Sequence, residues 1–262
     1  MISNDLSEFK KTDLKHRLLH GGLPPFWLAN NIVEKNFQEW LDSFWAKDIQ
    51  ELFRLEKRYT FQKFTELLFR QSSGLFEATR FAAPCEVSRN TICNYLTVLE
   101  ATFLVHVIRP FSQKRNTEIV SAPKVYAFDT GFICTYNGWF PLRDNELGLL
   151  WEHFILNELY AHLQTRNIRY WQDKRQHEID FILLKSGHAP IAIECKWSLN
   201  SFEPRNILSF RKQYPEGLNY VVVNKLAANF KKQYQGVIVN FVNLTTFIKE
   251  ITCIFSNCEH ST

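Results

Sequence analysis

The sequence predicts a mixed α/β chain, helical in its first half and organised around strands in its second. Three observations carry this expectation. Apolar residues recur at helical spacing between Phe37 and Leu99, as they do on amphipathic helices. Beyond a long helical pattern that starts near Asp144, apolar runs at 168–171, 178–184, 191–196 and 218–223 have the length of strands. Glycine and proline number only 9 each in 262 residues, so short connections and packed cores are expected rather than flexible linkers.

The elements follow in order. Residues 1 to 20 are polar, and His20-Gly21-Gly22-Leu23-Pro24-Pro25 breaks the chain, because paired glycines and prolines punctuate helices. Phe37, Trp40, Leu41, Phe44 and Trp45 then predict an amphipathic helix or helix pair over about 34–55. A helix through Phe61, Phe64, Leu67 and Leu68 is followed by a shorter one around 76–81. Ser88 is a suitable N-cap for a third, from Arg89 to Thr102, with Ile92, Tyr95, Leu96 and Leu99 on its apolar face. Alternating segments at 104–108 and 124–128 come next, separated by Ser112-Gln113-Lys114-Arg115-Asn116. Three helices closed by a β-hairpin describe a winged helix-turn-helix. Its candidate nucleic-acid contacts are Arg89, Asn90 and Asn94 on the third helix, and Lys114 and Arg115 at the wing tip. One arginine makes a weak recognition helix, and a packing or protein-docking module is the competing expectation.

Leu147, Leu150, Trp151, Phe154, Ile155, Leu159 and Leu163 trace the long helix, which carries Glu152. A strand at 168–171, a hairpin, a helix over about 203–213 and a strand at 218–223 complete an α/β sandwich. A last strand at 236–240 and a helix at 244–252 are expected to pack on its edge. No internal repeat or low-complexity segment interrupts this order. The expected division is a helical segment over 1–56, the winged helix over 57–130 and the sandwich over 131–262.

Composition sets the outer limits. The chain is 45% hydrophobic and 22% charged, as in an ordinary globular protein rather than a disordered one. A net charge of +4 is compatible with a phosphate-backbone partner without requiring one. The six cysteines, at 85, 93, 134, 195, 253 and 258, form no Cys-x-x-Cys pair, and buried reduced thiols are expected. No basic and apolar leader opens the chain, and no run reaches the length of a membrane span. A cytoplasmic location without membrane contact is the expectation.

The chemistry concentrates in Glu178-Ile179-Asp180-Phe181 and Ile193-Glu194-Cys195-Lys196, on two strands joined through Lys185-Ser186-Gly187-His188. Side chains alternate along a strand, so Glu194 and Lys196 share a face that Ile193 and Cys195 do not. Asp180 supplies a second carboxylate from the partner strand, and Glu152 a further one from the preceding helix. Acids of this number suit Mg²⁺, which takes one or two carboxylates and completes its shell with water and phosphate. Such an ion neutralises a phosphodiester and generates hydroxide near neutral pH. Lys196 is placed to orient the attacking water or stabilise the transition state. The blander expectation for Glu-x-Lys on a strand is a solvated ion pair on an exposed face.

These residues resemble the PD-(D/E)xK nuclease superfamily. Glu152 falls at its helix acid, Asp180 at its central aspartate, and Glu194 and Lys196 at its (D/E)-x-K motif. From about 16 to 225 the chain also resembles the poorly characterised C-terminal region of bacterial and archaeal AAA-type ATPases. Gly21-Gly22-Leu23-Pro24, Trp40-Leu41-Asp42 through Asp48-Ile49, Thr91 to Leu99, Pro123-Lys124-Val125-Tyr126 through Asp129-Thr130-Gly131, Trp151-Glu152 and Tyr170-Trp171 carry that likeness with the two site segments. The resemblance implies a Mg²⁺- or Mn²⁺-dependent endonuclease-like protein acting on DNA, with Asp180, Glu194 and Lys196 catalytic and Glu152, Asp180 and Glu194 on the metal. The alternative is a non-catalytic DNA-binding or protein-interaction module that works with a separately encoded ATPase or self-associates.

Two departures qualify the likeness. The ATPases carry a Gly-rich phosphate loop ending in Gly-Lys, a dipeptide this chain lacks, so no nucleotide and no ATPase activity of its own are expected. With this short start, a C-terminal fragment, a split gene product or a decayed relative is the expectation. Lys47 and Gln172 also stand where the family often has arginine. Lysine keeps the charge without the bidentate geometry, whereas Gln172 loses the charge altogether.

Overall fold

A computed structural model describes residues 14–29, 31–53, 57–112 and 122–256. The chain divides into two compact units, one of residues 1–106 and 125–150, the other of 107–124 and 151–262. Helices dominate the N-terminal half, and a mixed eight-stranded sheet the C-terminal half. Among the described residues no helix is long and apolar enough to cross a membrane.

The first unit opens with α1 (Leu14–His20) and α2 (Pro24–Trp27). The helix expected over 34–55 is α3 (Glu34–Phe44), continued by a wider π-helical stretch (Trp45–Ile49) into α4 (Gln50–Phe53). Next come α5 (Arg58–Arg70), α6 (Ala78–Ala82) and α7 (Arg89–Ala101), the three helices read from the sequence. Ser88 caps α7 as expected, its Oγ accepting from the Thr91 N–H at 3.1 Å and satisfying one orphan donor of the first turn. The described helices between 14 and 53 share one aromatic core with these three. Phe26 stacks on Phe37 at 3.9 Å, and Phe61 meets Trp45 at 5.0 Å and Tyr95 at 5.1 Å.

Two strands follow, β1 (Val105–Pro110) and β2 (Lys124–Ala127), then α8 (Thr130–Asn137) and the long α9 (Asp144–Leu163). Helix α8 carries no amphipathic signal because six of its eight residues are buried, and a helix buried all round shows no polar stripe. Asp129 caps it, accepting from the Gly131 N–H at 2.8 Å and also from the Gly22 N–H at 2.6 Å. Gly21 beside it takes φ +81°, and a Cβ there would stand 1.9 Å from Asp129 Oδ1. Gly21-Gly22 and Asp129-Thr130-Gly131, distant in sequence, are therefore one structural motif.

In the second unit the strands are β3 (Ile168–Gln172), β4 (Glu178–Leu183), β5 (Ile191–Lys196), β6 (Asn219–Val223), β7 (Phe230–Tyr234) and β8 (Val237–Val242). Helix α10 (Arg205–Gln213) precedes β6, and α11 (Leu244–Phe255) follows β8. The sheet order is β2-β1-β3-β4-β5-β6-β8-β7. Strand β1 pairs in parallel with β3 through Arg109↔Arg169 and Pro110↔Tyr170, so β1 and β2 continue the large sheet. The strand expected at the sheet edge, β8, is interior and parallel to β6. The edge belongs to β7, whose Phe-Lys-Lys-Gln-Tyr sequence is almost wholly exposed and does not read as a strand. Lysines there suit an outermost strand, where charge discourages pairing with another chain. The β7–β8 turn places Gln235 at φ 48° and Gly236 at φ 87°, the left-handed pair that a two-residue hairpin requires.

Two details of the sheet position the site. Helices α10 and α11 cover opposite faces of β6: Val221 and Val223 share a core cluster with Ile207 and Phe210, whereas Tyr220 meets Phe247 at 5.4 Å. Strand β4 carries a bulge, since Arg169 pairs with Ile182 but Trp171 with Ile179. Asp180 and Phe181 thus oppose Tyr170 alone, and an extra residue of this kind re-aims its side chain.

Candidate active site

The site is built on the ends of β4 and β5. The β4–β5 ladder runs through Leu183↔Ile191, Ile182↔Ala192 and Phe181↔Ile193. Beyond it, the Cys195 N–H donates to Asp180 Oδ2 at 2.7 Å, so the bulged aspartate replaces a strand contact with a carboxylate. Lys196 Nζ lies 2.6 Å from Glu194 Oε2 and 3.8 Å from Asp180 Oδ2. The structure therefore brings Asp180, Glu194 and Lys196 together, as the spacing predicts.

Their setting differs from the solvated ion pair that Glu-x-Lys more often signals. The face of β5 that carries Glu194 also carries Ala192, which packs in the core with Ile207 and Phe210 of α10. Side-chain exposure is 1% for Glu194, 12% for Asp180 and 21% for Lys196. Glu194 Oε1 is buried with no hydrogen-bond partner of good geometry among the described residues. Burial first, then the charge of Asp180, push the Glu194 carboxyl up to about 7, against the pull of Lys196 and the Asn206 amide on α10. Burial also opposes the charge on Lys196, but Asp180 and Glu194 outweigh it and hold the ammonium above the usual lysine range.

A second cationic group adjoins these residues. Lys124, at the head of β2, is buried and ion-paired with Glu178 on β4. Glu178 also accepts from Gln172 Nε2 at 3.2 Å, which ties Gln172 to the same cluster. Desolvation disfavours the Lys124 charge, yet Glu152, Glu178 and Asp180 together raise its pKa. The Glu152 charge on α9 thus acts on Lys124 and also on Cys195. Lys124 and Glu178 were not singled out from the sequence. The available signals were a lone lysine opening an apolar strand and an acid two residues before Asp180.

Among the described residues, no three His, Cys, Asp or Glu side chains gather closely enough to hold a metal ion by themselves. Asp180 and Glu194 nevertheless fit a Mg²⁺-type ion, which needs only one or two carboxylates beside water and phosphate. The unpartnered Glu194 Oε1 is the kind of orphaned acceptor such an ion would satisfy.

The family described as "Domain of unknown function (DUF8612)" matches residues 11–143. The chain belongs to that family. A second, "Domain of unknown function (DUF4143)", matches residues 147–247 and is known as a C-terminal region of AAA-ATPase-like proteins. Uncharacterized proteins of Mycobacterium tuberculosis and Mycobacterium bovis are each 27% identical to the chain over 186 residues, which is 68% of it. The chain spans 42% of the length of these relatives. Lys124 lies within the DUF8612 region, whereas Glu152, Glu178, Asp180, Glu194 and Lys196 lie within the DUF4143 region.

On α7 of the DUF8612 region, Arg89, Asn90 and Asn94 are exposed while Ile92, Tyr95, Leu96 and Leu99 are buried. The polar face is therefore available to a partner. Lys114 and Arg115 lie outside the described residues. The cysteines correct one expectation. Cys85, Cys134 and Cys195 are buried free thiols, but Cys93 and Cys253 are exposed, because each falls on the outer side of its helix.

Proposed function

We propose that this chain is a metal-dependent DNA endonuclease-like protein, with a winged-helix module that positions it on duplex DNA and a PD-(D/E)xK nuclease-like centre. The observation that carries the reading is the buried Asp180–Glu194–Lys196 set at the bulged end of β4, with one Glu194 oxygen unpartnered. A buried polar group without a partner costs about 1–3 kcal/mol, and a ligand that satisfies it offsets that cost.

Asp180 and Glu194 would hold one Mg²⁺ or Mn²⁺ ion. Such an ion would supply charge neutralisation at the scissile phosphate and a hydroxide near neutral pH. Without an ion, Asp180 and Glu194 hold the Lys196 ammonium above the usual lysine range, and an ammonium there would offset charge that builds on the phosphoryl oxygens. Asp180 fixes the Cys195 backbone and thereby the orientation of both neighbours on β5. Water adds to phosphorus as one bridging oxygen departs and takes up a proton.

Incubation of the purified chain with supercoiled plasmid and Mg²⁺ or Mn²⁺ tests the reading. Nicking is expected, with Asp180→Ala and Lys196→Ala each reducing it by about 100-fold or more, the scale of removing one transition-state contact. Absence of cleavage with either ion, together with no ion binding by calorimetry, overturns it. A second reading draws on the closure of Lys196 over both carboxylates: the set is a retained ion-pair cluster in a non-catalytic module that binds DNA or a separate ATPase. That reading predicts duplex binding unaffected by Asp180→Ala and no cleavage.

A further inference from the structure

The net charge of the chain is concentrated in one stretch of the second unit. Residues 217–249 hold four lysines, at 225, 231, 232 and 249, and no aspartate or glutamate. Of the 31 lysines and arginines, the other 27 are matched by 27 acids, so the whole excess of +4 lies here. Lys231 and Lys232 are exposed on β7, and Lys225 on the loop before it. Among the described residues none of the three is ion-paired with a carboxylate. Phe230 opens the same strand. Its ring lies flat on that of Phe241 on β8, 4.6 Å away and 9° from parallel. Phe241 is buried while Phe230 stays 38% exposed, so the open side of the Phe230 ring is the one turned away from Phe241. Lys232, two residues on, shares that side of the strand, and its ammonium stands 5.1 Å from the centre of the Tyr234 ring.

We propose that the Phe230–Lys232 edge of the sheet is a stacking platform for single-stranded DNA, which holds the strand flanking the scissile phosphate. This deepens the endonuclease reading above and rests on it for the substrate. The sheet register supplies the connection. Glu194 is opposite Val221, Val221 opposite Phe241, and Phe241 opposite Phe230. Residues paired in this way form one row on one face of the sheet. Three strand spacings separate its ends, about 14 Å, the length of about four stacked nucleotides. Phe202 packs on Phe241 within that span, so the DNA would cross over the segment that leads into α10 rather than lie on the sheet itself. An open aromatic face stacks any base, and a groove of lysines follows the backbone phosphates. Bases inside a duplex have both faces covered by their neighbours, so an open ring selects unpaired strand. Lysines at a sheet edge also discourage pairing with another chain, but edge protection has no use for an uncovered aromatic ring.

The test uses the full chain without a metal ion, and a short oligo(dT) carrying iodouracil. Ultraviolet cross-linking and mass spectrometry are expected to place the adduct on the peptide that contains Phe230. Phe230→Leu keeps an apolar contact with Phe241 and removes the ring. By fluorescence anisotropy it is expected to weaken oligo(dT) binding about tenfold, the scale of one stacked base, whereas Phe230→Trp preserves it. Lys232→Gln is expected to reduce the slope of log affinity against log salt by about 0.7. Adducts confined to other peptides, no binding of oligo(dT), or unchanged affinity in folded Phe230→Leu each overturn the proposal. So does a duplex of the same length whose binding Phe230→Leu weakens equally. Metal-dependent nicking without the Phe230 adduct overturns the platform alone. The adduct without nicking overturns the endonuclease reading and supports the platform as a DNA contact.

Discussion

Glu194 is held by its strand and by Lys196, with its second oxygen facing no donor of good geometry. Its raised pKa, from 4.5 to about 7, makes the carboxyl a stability determinant as well as a candidate ligand. The folded state keeps the proton longer than the unfolded chain does. The group's contribution is therefore fully present below about pH 4 and lost as pH rises through 7, by about 3 kcal/mol in total. Urea denaturation of the metal-free protein is expected to show this decline between pH 5 and 8, and Glu194→Gln is expected to lack it. The same residue marks how far sequence reading reached. Alternation along β5 was enough to place Glu194 beside Lys196. Its burial was not readable, because it depends on α10, a helix that enters eleven residues later. Lys124 was hidden for the opposite reason: its carboxylates come from β4 and α9, far along the chain.

At the level of elements, strongly periodic helices and continuous apolar strands were legible, as α5, α7, α9 and β6 illustrate. Elements whose pattern is one-sided in neither sense were not. Helix α8 is buried on nearly all sides, β7 is exposed along nearly all its length, and the β4 bulge is a property of pairing with β3. A further element-level device is Arg211 at the end of α10. Its guanidinium donates to Asn219 Oδ1 at 2.6 Å, Leu218 O at 2.7 Å, Pro190 O at 3.0 Å, Tyr214 O at 3.2 Å and the Glu216 carbonyl. Desolvation lowers its pKa to about 10, with Glu216 opposing, so it stays charged near neutral pH. One side chain thus ties α10 to the starts of β5 and β6. Arg211→Met strands these acceptors and is expected to cost about 3 kcal/mol or more, measured as a lower denaturant midpoint with unchanged slope.

For the whole molecule, a net charge of +4 gives only weak general attraction to nucleic acid, so local cations must supply the contacts. If α7 meets duplex DNA through its exposed face, Arg89→Ala should weaken binding and reduce the slope of log affinity against log salt by about 1. Fluorescence anisotropy across a salt series reads both effects, and an unchanged slope removes Arg89 from the interface.

The chain passes between its two units at 106/107, 124/125 and 150/151. Lys124 therefore belongs in space with Glu178 and Asp180, but in sequence it precedes the helix that opens the rest of their unit. Modularity is the casualty. A gene fusion, truncation or recombination event that kept only the distal stretch would carry the acids away from their ammonium. The cluster of acids and lysines can be inherited whole only with the helical half.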